Sequence, residues 1–415
     1  MVLLTSAGIV CVLVPALTCG AAAAAPSSEV NVPMRAITQG PKAHWFGYYD
    51  KHEFDVTGRY VLGMELEFEG RAPTADDTIR LGMVDLEDGD KWIEFGVTHA
   101  WCWQQGCMLQ WLPGADTKVI YNDRQDGRFV SVIQDVFTGE KRVLPKPVYS
   151  VSPKGDVAVG TNFARINETR PGYGYEGVAD PYQADIHPAE DGLYVMDLAT
   201  GESRTLFSYQ QIAEFSPAKD TGGKHWFNHL LFNTDGARFI FLHRWKRDAT
   251  AEAWHTRMMT AAPDGSGLKC VADHEMVSHF IWRNPEQILA WSREPEPGDR
   301  FVLYDDRTGD KEIIGDGVLT HDGHCTYSPD GEWVLTDGYP DKNRLQPLML
   351  FRPSDGKLIE LGRFYLPPEN KGQLRCDLHP RWDRAGERIT IDSMHEGNQR
   401  QIYLLEVGEV MRAAK

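Results

Sequence analysis

Apolar residues along this chain fall into short runs rich in Val, Ile, Leu and aromatics, and Asp-Gly, Pro-Asp-Gly and Thr-Gly signals separate them. Such runs read as strands joined by hairpins. The stretch Gly323-His324-Cys325-Thr326-Tyr327-Ser328-Pro329-Asp330-Gly331, continuing into Trp333-Val334-Leu335-Thr336, shows a short strand headed by a histidine, a turn, and a second strand. The histidine keeps its place in three other units. His229 stands six residues before Asp235, His279 six before Pro285 and His379 six before Ala385, as His324 stands six before Asp330.

The whole chain can be divided on this pattern. Units one to three have inner strands at 54–58, 108–111 and 149–153, and units four to seven have second strands at 239–242, 288–291, 333–336 and 388–391. Seven units of short strands, with no amphipathic helix between them, predict an all-β fold: a seven-bladed β-propeller forming a single domain over 26–415. A repeat architecture also suits the length, since 415 residues exceed the usual single core. The longest irregular insertion, 162–192, has the length of a lid or binding wall.

Composition narrows the function. A formal charge of -17 leaves no basic field for nucleic acid or an anionic membrane surface. Residues 1–25 are apolar from Val2 to Leu17 and end in Ala21 to Ala25, which predicts a signal peptide and a periplasmic or secreted protein. No later stretch is long and apolar enough to span a bilayer. Cleavage leaves five cysteines, an odd number without paired C-x-x-C motifs, so neither a disulfide framework nor a zinc site is defined. Cys102 and Cys107 are either bridged or free.

In a propeller the first strand of each blade lines the central channel. Histidines at one repeat position in four consecutive blades are therefore expected to converge at one end of it. One such histidine alone is more often a packing residue, whereas four in register point to a site. Gathered imidazoles bind a divalent transition metal and leave one ring free as a base. Asp377, two residues before His379, is expected on the same strand face as an oxygen ligand. Mn²⁺, Fe²⁺ and Zn²⁺ all suit such donors.

The order of Asn228-His229, Ser278-His279-Phe280-Ile281-Trp282, Gly323-His324 and Leu378-His379-Pro380 resembles the oligogalacturonate lyases, over roughly 224–407. That resemblance implies a seven-bladed propeller cleaving uronate oligomers by β-elimination with Mn²⁺. It implies His279 as the proton-abstracting base and His324 and His379 as metal ligands; the family has a further histidine where this chain has Asp377. With His229 the remaining ring of the set, Arg244 and Arg283 are the candidate clamps for a uronate carboxylate, because a guanidinium binds carboxylate in a fork. Either arginine is equally well read as a solvated charge.

Two aromatic clusters, His44-Trp45-Phe46-Gly47-Tyr48-Tyr49 and His225-Trp226-Phe227, suit stacking on sugar rings, although aromatics at the head of a propeller strand are more often core. His44, Tyr48, Gln105, His225 and Tyr173 are the expected contacts to an acidic oligosaccharide. Two alternatives stay open: a glycoside hydrolase on the same scaffold, which needs two channel-facing carboxylates about 5 to 10 Å apart, and a non-catalytic TolB-like propeller that binds glycans or proteins.

Overall fold

The computed structural model describes residues 27–414 except 219–221, 249, 297 and 398. The predicted signal peptide lies outside these residues. Seven antiparallel sheets, six of four strands and one of five, form the blades of a β-propeller. In blade four the order runs from the inner strand His225–Phe232 through Phe239–Lys246 and Trp254–Ala261 to Lys269–Ala272. The chain closes its own ring. Met34–Ala36 pairs with Gln401–Glu406, so a strand from the start of the domain completes the blade formed by its end. Glu29–Val30 likewise adds a fifth strand to blade six.

Blades are held face to face by alternate residues of neighbouring sheets. Leu335 and Leu350 of blade six meet Ile389 and Leu405 of blade seven, all fully buried. Each such leucine contributes about 1.5–3 kcal/mol by leaving water. Among the described residues, no helix is long and apolar enough to cross a membrane. All five cysteines outside the predicted leader are free thiols, Cys102 and Cys107 included.

Blade one departs from the expected division. Its inner strand is Ala43–Trp45, and the segment 54–58 makes only a bridge from Phe54 to Val61. Asp55 explains the difference: its carboxylate accepts the amides of Thr57 at 3.0 Å and Tyr60 at 2.8 Å, bending 55–58 into a turn rather than a strand.

The insertion 162–192 also differs from a plain loop, since it carries a short helix, α1 (Phe163–Thr169), capped by the Asn162 side chain. Arg165 ties this insertion together from inside. Its guanidinium donates to Asp180 at 3.0 Å and to the carbonyls of His225, Asp185 and Ile186 at 2.6, 2.9 and 2.6 Å. Tyr175 stacks on Phe163 with ring centroids 4.3 Å apart. A wall so anchored holds its later residues, Arg170 and Tyr173, in place beside the channel.

Candidate active site

The four repeat histidines converge. Ring centroids of His279 and His324 lie 4.0 Å apart, those of His324 and His379 4.2 Å, and those of His229 and His279 6.5 Å. All four side chains are buried. Local backbone irregularities turn them inward. In blade four, residues 229 and 230 together oppose a single partner position, and in blade five 278 and 279 do the same; such bulges re-aim a side chain out of the pleat. His229 and His379 also adopt left-handed backbone, with φ of 53° and 43°. Non-glycine residues pay strain there, which concentrates at functional sites.

Other blades close the ring of contacts. Tyr48 hydrogen-bonds His229 Nδ1 at 2.9 Å and packs 5.1 Å from the His379 ring. Gln105 accepts from Tyr149 at 2.8 Å and places its amide 3.4 Å from the same His229 nitrogen. Tyr173 stands 5.7 Å from the His229 ring. Gly47 makes this convergence possible: at φ 108° it lies so close to Gln105 that a Cβ would come within 3.0 Å of that residue's backbone.

Carboxylates hold the imidazoles from behind. Asp322 lies 2.9 Å from His279 Nδ1, leaving Nε2 as the nitrogen to face a ligand. Asp337 lies 2.9 Å from His324 Nδ1 and accepts the backbone amides of both His324 and His379, at 2.7 and 3.1 Å. Burial pushes the His279 pKa down against the pull of Asp322. For His324 burial also pushes down, but Asp337 outweighs it and the pKa rises. Burial and neighbouring cations, Arg244 first, hold His229 well below its ordinary value.

His324, His379 and Asp377 offer ligand atoms that all lie within 4.8 Å of one another. The Nε2 atoms of His324 and His379 are buried and have no hydrogen-bond partner. Two orphaned imidazole nitrogens beside a carboxylate fit a divalent transition metal, and the Asp337–His324 contact is the outer support such ligands need. Asp377 is engaged as well, receiving Arg375 in a fork at 2.5 and 2.7 Å. It reaches the cluster by a different route from the one expected, because 377 and 379 precede the strand Arg381–Trp382 instead of alternating along it.

Three sequence candidates fall elsewhere. His44 is packed inside blade one, its ring nitrogens 3.1 Å from Gln401 and 3.2 Å from Glu65. His225 is buried within blade four, with Nδ1 2.8 Å from His243. Arg283 is exposed at the hairpin-turn end of its blade, over the Tyr327 ring. Four residues along a strand from His279 is about 13 Å, which carries it to the opposite mouth. Arg244, by contrast, is buried at the cluster, donating to Thr256 at 3.1 Å. Burial, together with nearby Arg170, pushes its pKa down to about 9.

The sequence reading missed Asp322, Asp337, Arg375, Arg170 and Tyr339. Asp322 and Tyr339 also border a cavity of about 470 Å³ beside the histidines. Only Asp337 carried a usable signal, standing at the end of the second strand of a histidine unit.

The fold and site define a propeller with an acidic-residue-backed histidine centre. Known structures sharing the architecture include an oligogalacturonate lyase in complex with manganese, at TM-score 0.64 and 16% identity over 91% of this chain and 93% of that one. An oligogalacturonate lyase from Vibrio parahaemolyticus matches at TM-score 0.64 and 14% identity, covering 91% and 94%. The β-propeller domain of a Pyrococcus furiosus protease also matches, at TM-score 0.50 and 12% identity over 89% and 94%. These identities establish a shared fold. No protein-family model matches the chain, and no curated protein matches it by sequence.

Proposed function

We propose that the protein is a lyase that cleaves uronate-containing oligosaccharides by β-elimination at the histidine end of the channel. The observation that carries this reading is a carboxylate-backed imidazole, His279 on Asp322, in the same cluster as the buried guanidinium of Arg244, which has no carboxylate partner among the described residues. A base and an unpaired cation are the two groups that removal of a proton next to a carboxylate requires.

Arg244 holds the uronate carboxylate in a fork, spreading the charge that develops as the C5 proton leaves. His279 Nε2 takes that proton, and Asp322 stabilises the imidazolium formed. The C5–H electron pair becomes the C4–C5 double bond as the C4–oxygen bond breaks. The departing oxygen takes a proton from the Tyr48–His229 pair. A divalent metal held by His324, His379 and Asp377, Mn²⁺ by analogy with the lyase fold, would add positive charge beside the same carboxylate.

A glycoside hydrolase needs a carboxylic acid kept protonated. Asp322 and Asp377 are set the other way: burial pushes each up, but His279 on the first and Arg375 on the second win and hold both below the ordinary range. Incubating the protein with oligogalacturonates and assaying for unsaturated ends tests the proposal. His279→Ala is expected to lower the yield of those ends by about 10²-fold or more, and new reducing ends accompanied only by saturated non-reducing ends would instead identify a hydrolase. Bound oligosaccharide without any new ends would identify a non-catalytic binder.

A further inference from the structure

Buried arginines in this protein are met by partners, most of them carboxylates. Arg165 meets Asp180, Arg381 meets Glu53 and Asp392, and Arg400 meets Glu69. Arg257, equally buried, has no carboxylate partner among the described residues but donates to His243 and to the carbonyls of Phe215, Pro217 and Ile212. Buried Arg244 and half-buried Arg170 differ from these in leaving guanidinium nitrogens without any partner. Both guanidiniums lie over the Trp254 ring, 4.8 and 5.9 Å from its centroid, and Arg170 also covers Tyr173 at 4.0 Å.

Among the described residues neither has a carboxylate within ion-pair distance. Arg170 Nε and Arg244 Nη1 are buried without a hydrogen-bond partner. Two adjacent uncompensated cations are costly to bury, and they occur here in a chain of net charge -17 with acidic groups in ample supply. Trp254 is 39% exposed, so the pair borders solvent rather than sealed core. The anchored insertion presents Arg170, while the blade-four strand Phe239–Lys246 presents Arg244.

We propose that Arg170 and Arg244 form a paired acid-binding subsite that takes carboxylates from two adjacent sugar units, so that the ligand is a di- or oligouronate whose neighbouring unit is also a free acid. This rests on the lyase reading of the same site. Arg244, nearer the histidines, holds the reacting unit, and Arg170 holds its neighbour. Arg170 thereby sets specificity, since a neutral or esterified neighbour leaves its guanidinium desolvated and unpaired.

The test is calorimetric titration of His279→Ala protein with digalacturonate and with its monomethyl ester bearing the ester on the neighbouring unit. The diacid is expected to bind at least tenfold more tightly, equivalent to about 1.4 kcal/mol. Arg170→Gln should remove most of that difference by weakening the diacid alone. Arg170→Lys, which keeps the charge and loses the fork, should give an intermediate loss and controls for folding. Equal affinities, equal weakening of both ligands by Arg170→Gln, or no binding of either ligand would overturn the subsite.

Turnover separates the two ideas. Discrimination between the ligands with no turnover by the unmodified protein upholds the subsite and defeats the lyase. His279-dependent turnover without discrimination does the reverse.

Discussion

Asp337 grips His324 through both oxygens: Oδ1 and Oδ2 lie 2.9 and 3.0 Å from Nδ1, and Oδ1 also accepts the His324 amide at 2.7 Å. Through Oδ2 the same carboxylate accepts the His379 amide. One side chain thus orients both imidazoles with orphaned Nε2 atoms. Asp337→Ala is expected to weaken Mn²⁺ binding by about 10- to 100-fold, read by calorimetric titration of the metal-stripped protein. Unchanged affinity would remove Asp337 from any such role.

The pH profile follows from the His279–Asp322 pair. Burial lowers the His279 pKa from its ordinary 6.5, with Asp322 opposing. A base must be neutral to act, so kcat/KM should fall on the acid side through this depressed pKa, placing the acidic limb below pH 6.5. Asp322→Asn removes the upward pull, which should move that limb further toward acid while kcat drops. A limb above 6.5, or one that Asp322→Asn leaves where it was, contradicts the assignment of His279 as base.

Arg244 and lysine are not equivalent at a fork. Arg244→Lys retains a positive charge but gives up the paired N–H geometry, and is expected to lower kcat/KM on uronate oligomers by about tenfold or more. Steady-state kinetics measure it. Arg283→Ala, at the far mouth, provides the contrast and should leave kcat/KM within about twofold.

Arg165 and Asp180 are both buried, with side chains 0% and 1% exposed. Removing the arginine strands a buried carboxylate and releases the insertion. Arg165→Met should cost about 3–5 kcal/mol of stability, measured by denaturant unfolding. A loss below about 1 kcal/mol would show that the wall is held by its aromatic packing instead.

The fold was legible because hairpin turns recur at a fixed distance from the blade entrance, and the histidine cluster was legible for the same reason. Register brought His229, His279, His324 and His379 to one end of the channel, while the bulges and left-handed backbone that aim His229, His279 and His379 inward carried no sequence signal. What lay outside the register was not legible. Asp322 reaches His279 from a loop and Arg170 from the insertion, neither at any repeat position. His44 and His225 share the aromatic setting of Tyr48, but each sits within its inner strand and turns into the blade, where Glu65 and His243 meet it. Tyr48 lies beyond its strand, past Gly47, and reaches the channel. Arg283 was misread because sequence proximity to His279 says nothing of strand direction. The strand at 54–58 failed to form because Asp55 captures its own backbone, a local competition that hydrophobic periodicity cannot register.

Formation of an unsaturated product is the most direct test of the central claim. Ultraviolet absorbance should rise when the purified protein meets oligogalacturonate, grow with added Mn²⁺ after metal stripping, and vanish in His279→Ala. Absence of that rise on every uronate oligomer tried, with the folded metal-loaded protein, would contradict β-elimination by this site.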